Sequence, residues 1–275
     1  METNKEKMLR AMRERHAVRR YTDRPLAKDA VARLEEEIAR CNAESGLHIQ
    51  LVTDEPQAFR GWHSYGTFRG VRNYLLMAGK KADDLDERVG YYGERLVLLA
   101  QTLGLNTCWV GMSYKKMRGT YDLGEDERVA CAIALGYGET QGKAHKIKTV
   151  EQVSNADETT PQWFREGVEA ALLAPSSVNQ QKYRFVYEKG ADGVERVRAE
   201  KGRMSLFGYL EMDLGIAKYH FEIGSGRPLP VGAACGTPPP LPCWGKGPLT
   251  RGKSSLCERG RGIIRETKYI YYCNF

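Results

Sequence analysis

The sequence predicts an α+β fold, in which amphipathic helices and short apolar strands follow one another irregularly. Residues 84–103 carry the longest helical pattern, with apolar side chains on one face at Val89, Tyr92, Leu96, Leu99 and Leu103. Residues 71–78 and 128–135 are nearly continuous apolar runs, as expected for buried strands. A similar mixture of patterns resumes after residue 160, so helices and strands account for most of the chain up to residue 226.

In the first half, periodicity and turn residues predict most elements. We expect helices over residues 1–13, 28–41 and 84–103, and strands over residues 48–52, 71–78, 105–111 and 128–135. Residues 42–46 are interpreted as a linker, and residues 142–148 as a loop rich in basic side chains, called the basic loop below. Three acidic residues at the start of the long helix suit its positive N-terminus, and Gly104 is placed to end it.

In the second half, a helix over residues 161–173 follows the polar link 154–160, and Pro175 prevents this helix from continuing. Strands over 183–187 and 194–199 are joined by a glycine-containing turn, and the last helix covers 209–221. Residues 28–52 resemble 161–187 in this order of elements, and residues 90–104 resemble 207–221. We therefore predict an internal duplication with two pseudo-symmetric halves, residues 1–153 and 154–226.

Residues 227–275 differ from the rest of the chain in composition. They contain 7 of the 11 prolines and 4 of the 7 cysteines, with 8 basic and 2 acidic residues. The net charge of +7 therefore belongs mostly to this segment. It shows no periodicity and too few apolar residues for a core, which indicates an irregular basic tail, disordered or produced by a frame change or non-native extension. A basic tail that binds nucleic acid is the alternative.

Composition also limits the class of protein. No run approaches the ~20 apolar residues of a membrane helix, and residues 1–20 contain no apolar signal region, so we expect a cytoplasmic protein without a membrane partner. We expect buried thiols at Cys41, Cys108 and Cys131, and the scattered histidines predict no metal site. The sequence contains no P-loop, dinucleotide-binding glycine motif or nucleophile elbow.

Two segments carry chemistry. Residues 174–185, the polar segment, place hydroxyl and amide groups at Ser176, Ser177, Asn179 and Gln181, which could bind the edge of a flat heterocycle. Residues 15–21, the arginine motif, hold several cationic or imidazole side chains that suit a phosphate dianion. The alternative for the polar segment is a set of ordinary turn residues after a helix. The alternative for the arginine motif is a solvated basic turn.

The polar segment, Ala-Pro-Ser-Ser-Val-Asn-Gln-Gln-Lys-Tyr-Arg-Phe, resembles the Ala-Pro-Ser-x-x-Asn-x-Gln-Pro-Trp-x-Phe signature of the FMN-dependent nitroreductase family. Lys182 and Tyr183 replace the usual Pro and Trp. The resemblance implies that this segment contacts the isoalloxazine ring of FMN, through Pro175, Ser176, Ser177, Asn179 and Gln181.

The arginine motif resembles the same family's Arg-Arg/His-Ser-x-Arg/Lys motif, which binds the FMN phosphate and ribityl chain. The resemblance implies this role for Arg15, His16, Ala17 and Arg19, with Ala17 in place of the usual Ser. The basic loop resembles the family's loop that closes over the phosphate, and Lys146 and Lys148 occupy the positions of its paired cations.

Residues 87–111 resemble the family's long core helix and its Gly-Leu-x-x-Cys-Trp-x-Gly ending. Gly111 is therefore implied as a backbone contact to the ring, where a donor near N5 would stabilise reduced flavin. Asn73 is implied as a polar contact to the ring edge or ribityl chain.

The resemblance implies a nitroreductase-like fold with a mainly antiparallel central sheet wrapped by helices. It also implies an enzyme in which NADH or NADPH reduces FMN at N5 and a small-molecule acceptor, such as a nitroaromatic or quinone, reoxidises it in a ping-pong reaction. No side chain then needs to act as an acid or base. Flavin-dependent dehalogenation and azoline oxidation are alternatives within the fold, and a non-catalytic FMN sensor is the alternative outside enzymes.

The order of the motifs differs from the family's usual order, in which the polar signature precedes the core helix. In such proteins two subunits share each flavin. We interpret this chain as a fusion of both contributions, a pseudo-dimeric monomer with one FMN, and a homodimer is the alternative.

Overall fold

The computed structural model describes residues 3–60, 67–117, 119–205 and 208–232. The helices are α1 (Asn4–Glu14), α2 (Lys28–Ser45), α3 (Leu85–Thr102), α4 (Val150–Val153), α5 (Gln162–Leu172) and α6 (Leu210–Ser225). The strands are β1 (Gln50–Val52), β2 (Asn73–Lys80), β3 (Asn106–Val110), β4 (Glu127–Gly136), β5 (Tyr183–Lys189) and β6 (Glu195–Lys201). These elements confirm the predicted α+β class. Of the helices in these ranges, none combines the length and apolar content that crossing a membrane requires.

Two local predictions differ from the structure. Residues 42–45, interpreted as a linker, form the last turn of α2. Ala43 and Glu44 favour helix, and Gly46 ends it with a φ of 67°, so the helix continues until glycine supplies the left-handed cap. Helix α4 was not predicted, because a single turn is too short to show helical periodicity.

Strands β1 to β4 form one antiparallel sheet in the order β1-β2-β4-β3. Seven consecutive residues of β2 are buried, which explains its continuous apolar sequence. Strands β5 and β6 form a separate two-stranded antiparallel hairpin. The expected antiparallel sheet is thus confirmed, with its strands from the first predicted half and the hairpin from the second.

Helices α3 and α6 cross at two glycines. A Cβ added to Gly90 would overlap the carbonyl oxygen of Met212, and a Cβ added to Gly215 would overlap that of Glu87. Gly90 lies three residues after Glu87 in α3, and Gly215 lies three residues after Met212 in α6. Exchanging the two helices would therefore turn one contact into the other. This local symmetry agrees with the predicted duplication, which remains a prediction.

The two predicted halves share a hydrophobic core. Ile38, Leu75 and Ile133 of the first half belong to the same buried cluster as Phe164 and Phe185 of the second. The predicted division at residues 153 and 154 therefore lies within one core. The cysteines of the described residues are free and buried, as predicted.

The first residues of the predicted tail pack against the body. Arg227 lies over the Trp163 ring, with its guanidinium carbon 3.7 Å from the ring centroid, and donates to Glu195 Oε2 at 2.9 Å. Lys218 Nζ donates to the carbonyl oxygen of Pro230 at 2.8 Å. The body thus extends to residue 232, beyond the predicted boundary at 226. The remainder of the predicted tail, with its four cysteines, lies outside the described residues.

Candidate functional site

One cavity of about 490 Å³ joins the arginine motif, the basic loop and the polar segment. Its wall is formed by Arg15, His16, Ala17, Arg19, Gly142, Lys143, His145, Pro175, Ser176 and Asn179. This volume lies within the ~300–1,000 Å³ typical of small-molecule sites. The fold therefore brings together two regions that belong to opposite predicted halves of the chain.

The arginine motif reaches the cavity from a helix end and an extended segment. Arg15 follows the last residue of α1, and its backbone N–H donates to the carbonyl of Ala11 at 2.8 Å. The next residues run beside the edge strand β3, where Ala17 forms a parallel bridge with Thr107. Side chains alternate along an extended segment, so Ala17 and Arg19 lie on the same side, and both line the cavity.

Two histidines line the cavity, and both are mainly uncharged at neutral pH. Burial lowers the pKa of His16, and the charge of Arg15 lowers it further. Burial also lowers the pKa of His145, whose Nε2 donates to the carbonyl of Leu172 at 3.2 Å. The positive charge of the wall therefore comes from arginine and lysine side chains, among them Arg15 and Arg19.

Gly142 lets the basic loop approach the arginine motif. Its φ of 75° is left-handed, and a Cβ at this position would lie 2.8 Å from His16 Cβ and 2.9 Å from the carbonyl oxygen of Ala17. A glycine avoids both conflicts. As a result the loop contributes Lys143 and His145 to the cavity wall, and neither residue was predicted to do so.

The two lysines predicted to hold the phosphate lie elsewhere and support the polar segment. Lys148 Nζ donates to the carbonyl oxygens of Gln180 and Gln181, at 3.0 and 2.7 Å, and burial lowers its pKa. The carbonyl oxygen of Lys146 accepts from Asn179 Nδ2 and from Gln181 Nε2, each at 2.8 Å. Neither Lys146 nor Lys148 lines the cavity, and their predicted role at the phosphate remains a prediction.

The polar segment adopts an unusual backbone. Val178, Asn179 and Gln181 have φ values of 45°, 55° and 44°, which are rare for residues other than glycine. Hydrogen bonds within the segment hold this shape, since the Gln181 N–H donates to Ser176 Oγ at 3.0 Å. The backbone N–H of Lys148 also donates to Gln181 Oε1 at 2.9 Å. Such strain persists only where surrounding contacts fix it, and it concentrates at functional sites.

The predicted ring contacts separate into two groups. Pro175, Ser176 and Asn179 line the cavity. Ser177 and Gln181 are buried beneath the segment, with 0% and 3% of their surface exposed. Ser177 and Gln181 are not among the residues that line the cavity, and their predicted contact with the ring remains a prediction.

Asp213 of α6 supports the polar segment and was not predicted. Its carboxylate accepts from the Ser177 N–H at 2.9 Å and from Gln180 Nε2 at 2.8 Å. The residue is almost fully buried, and burial raises its pKa to about 7. An acidic residue directly between the apolar Met212 and Leu214 was the signal that could have revealed it.

Asn73 and Gly111 do not line the cavity. Asn73 begins β2, and its Oδ1 accepts from the Asp54 N–H at 3.1 Å. A Cβ on Gly111 would overlap the ring of Tyr209, so the absence of a side chain lets this aromatic ring pack on the strand end. The predicted flavin contacts of Asn73 and Gly111 thus have no support from the cavity, and both residues have structural partners.

Several proteins of known structure resemble this fold. A Thermotoga maritima protein, described as a "putative nitroreductase", matches with a TM-score of 0.56, covering 82% of this chain and 84% of its own at 21% identity. A Desulfovibrio desulfuricans protein, described as a "putative nitroreductase in complex with fmn", matches at 0.44, covering 56% of this chain and 98% of its own at 19% identity. A Clostridium difficile "FMN-dependent Nitroreductase" matches at 0.40, covering 50% and 90% at 17% identity. No curated protein matches the chain significantly.

The sequence profile of one protein family covers most of the chain. The family is described as "Putative TM nitroreductase", and the match extends over residues 7–225. This range contains the arginine motif, the basic loop, the polar segment and the whole of α6. The similarity to the Thermotoga maritima structure supports the same fold. The chain therefore belongs to this nitroreductase family, an enzyme family, as its motifs predicted.

Proposed function

We propose that the chain is an FMN-dependent oxidoreductase that transfers electrons from NADH or NADPH to nitroaromatics, quinones or similar small-molecule acceptors. The observation that carries this proposal is the cavity shared by the arginine motif and the polar segment. A flavin nucleotide needs cations for its phosphate and polar donors and acceptors for its ring edge, and the wall offers both. Membership of a nitroreductase family supports the same reaction class.

The donor set of the cavity fits FMN. Arg15, Arg19 and Lys143 would hold the phosphate, and Ser176 and Asn179 would lie against the flavin. Bound FMN would supply the redox chemistry, which is the ping-pong transfer of hydride from the nicotinamide to the acceptor. The protein residues would bind and orient the reactants. No side chain is assigned as an acid or base.

An absorbance spectrum of the purified protein, before and after refilling with FMN, tests the cofactor. Bound FMN is expected to give the yellow flavin bands, and NADH or NADPH is expected to bleach them without oxygen. A nitroaromatic or quinone should then restore the colour. A protein that binds no FMN after refilling would contradict the proposal, and bound flavin that neither nicotinamide reduces would favour the sensor.

Two variants test the placement of the site. Arg15→Ala removes a cation from the wall and Asn179→Ala removes an amide, so we expect each to weaken FMN binding about tenfold. Arg13→Ala is the matched control, because Arg13 lies in the last turn of the same helix and is exposed. Unchanged FMN occupancy in both site variants would exclude this cavity.

The stoichiometry tests the fusion hypothesis. Because a single chain provides both the arginine motif and the polar segment, we expect about one FMN per chain at the mass of a monomer. Flavin titration combined with light scattering measures both quantities. A tight dimer that requires both chains for each flavin would contradict the one-chain site.

A further inference from the structure

A buried cluster of charged residues lies behind Arg15. Glu94, on α3, is fully buried; its Oε1 lies 2.9 Å from His220 Nε2, and its Oε2 accepts from Trp109 Nε1 at 3.0 Å. Arg15 Nε lies 3.8 Å from the same Oε1, and only 3% of Arg15 is exposed. Of these four residues, Arg15 alone lines the cavity. The cluster thus connects the cavity wall with α3, β3 and α6.

The hydrogen bonds define the charge of this cluster. His220 Nδ1 lies 3.1 Å from the carbonyl oxygen of Ala170, which can only accept, so Nδ1 carries a proton. Burial opposes ionisation of Glu94, but the hydrogen bond and charge of His220, the charge of Arg15 and the Trp109 N–H together lower its pKa. The hydrogen bond between Glu94 Oε1 and His220 Nε2 needs one further proton, so the Glu94–His220 pair carries no net charge. With the Arg15 guanidinium, the cluster therefore holds one net positive charge.

Packing does not require such a cluster. Glu94 and His220 are both completely buried, and removing charges from water costs free energy that apolar residues of similar volume would avoid. What the cluster does provide is a fixed carboxylate, held by His220 and Trp109, next to the long side chain of Arg15. An arginine that lies beside a fixed anion loses rotamer freedom before any ligand arrives.

Among the described residues, Arg15 Nε has no hydrogen-bond partner, so the carboxylate orients the guanidinium through charge at 3.8 Å. This arrangement leaves an excess positive charge at the cavity wall. A preorganised cation of this kind is suited to an anionic ligand group, because little reorganisation is needed when the anion binds.

We propose that Glu94 and His220 are positioning residues, which hold the Arg15 guanidinium at the cavity wall for a phosphate oxyanion of the ligand. The inference rests on the proposed function in that the phosphate belongs to a flavin nucleotide. Neither residue lines the cavity, and both act through Arg15.

The test compares FMN with riboflavin, which has the same ring and no phosphate. In Glu94→Gln we expect the Kd for FMN to rise about tenfold, and the Kd for riboflavin to change by less than about twofold. Combining Glu94→Gln with Arg15→Gln should weaken FMN binding no further than Arg15→Gln alone. Equal losses for both flavins, or losses that multiply in the double variant, would contradict a role through Arg15 and indicate a structural role.

His220→Asn and Glu94→Asp keep the test decisive if Glu94→Gln does not fold. Glu94→Asp preserves the charge but withdraws the carboxylate from Arg15, and it should show the same selective loss of FMN affinity. His220→Asn removes the imidazole that holds Glu94 Oε1 and should do likewise. Trp109→Phe removes the other hydrogen bond to Glu94 and leaves its ion pairs, so we expect FMN to remain favoured over riboflavin. Loss of that preference only in Trp109→Phe would contradict the proposal.

Inorganic phosphate separates this inference from the proposed function. Phosphate should raise the melting temperature of the wild-type protein, and the rise should be smaller in Glu94→Gln. If the wild type binds phosphate through this cluster but binds no FMN, the proposed function fails and the positioning role stands. If FMN binds normally and Glu94→Gln leaves the binding of FMN and phosphate unchanged, the positioning role fails and the proposed function stands.

Discussion

Asp213 should make the stability of the protein depend on pH. Its side chain is almost fully buried, and none of the ion pairs between described residues includes it. Burial raises its pKa to about 7, although the hydrogen bonds from the Ser177 N–H and from Gln180 oppose this rise. The folded protein therefore holds a proton on Asp213 at pH values where an unfolded chain has lost it. Substitution by Asn removes this titration and keeps an acceptor for the Ser177 N–H.

The sign and size of this pH dependence follow from the linkage between protonation of Asp213 and folding. Because the folded pKa lies above the ordinary value of ~3.9, the contribution is complete below pH ~3.9 and is lost as the pH rises through about 7. The full difference corresponds to about 4 kcal/mol, of which about 2.5 kcal/mol is lost between pH 5 and pH 8. In Asp213→Asn this loss is absent. The variant should therefore gain about 2.5 kcal/mol relative to the wild type over the same interval.

Reversible urea unfolding at several pH values from 5 to 8 measures this difference. The wild type and Asp213→Asn should differ in slope, and their free energies of unfolding should approach or cross as the pH rises. Asp122→Asn is the control, because it removes an exposed carboxylate and should keep the wild-type slope. Equal slopes for the wild type and Asp213→Asn would refute the assignment of a buried, proton-binding carboxyl group beneath the polar segment.

Three further predictions follow from the packing. Gly215→Ala should lower the free energy of unfolding by about 3 kcal/mol, because the added Cβ would overlap the backbone of α3. Gly124→Ala is the control and should change this free energy little, because a Cβ there makes only ordinary contacts. Equal effects of the two substitutions would contradict the close crossing of α3 and α6. Lys148→Met should lower the free energy of unfolding, measured in urea, by about 1–3 kcal/mol and should weaken FMN binding, because it leaves two carbonyl groups of the polar segment without their donor. Lys182→Met is the control, since Lys182 is exposed, and it should change neither quantity. Truncation after residue 226 should lower the melting temperature, because it removes the Arg227–Glu195 and Lys218–Pro230 contacts. Truncation after residue 232 keeps both contacts and should leave the melting temperature unchanged. Equal melting temperatures for the two truncated proteins would contradict the packing of residues 227–232.

The long elements could be predicted because their sequence patterns match their burial. Strand β2 is buried along almost its whole length, and α3 ends where Gly104 takes a left-handed φ of 74°. The end of α2 was wrong because short polar residues such as Asn42 and Ser45 fit a loop and a last helical turn equally well. Only the position of the glycine cap, in the folded structure, decides between them.

The site could be predicted by region and less well by residue. Motif resemblance selected the two regions that the cavity joins. The basic loop contains four basic side chains, Lys143, His145, Lys146 and Lys148, and sequence alone could not tell which pair lines the cavity. That choice depends on the left-handed backbone at Gly142 and on carbonyl groups supplied by a distant segment.

Glu94 was missed for a different reason. The helical pattern of α3 was interpreted as one apolar stripe, but the helix is buried on several sides, including Gly90, Gly93 and Glu94. The sequence pattern therefore predicts that Glu94, which lies outside the apolar stripe, is exposed, whereas it lies in the core. Its partner His220 comes from the other end of the chain, so no local pattern could connect them.

The two reciprocal glycine contacts between α3 and α6 resemble the isologous interface of a symmetric dimer, although both helices belong to one polypeptide. In an assembly of identical subunits, any change at such an interface occurs twice, once on each side. Here the gene encodes the two sides separately, so Gly90 can be altered while Gly215 is kept. Each face of the crossing can consequently diverge, or be redesigned, on its own.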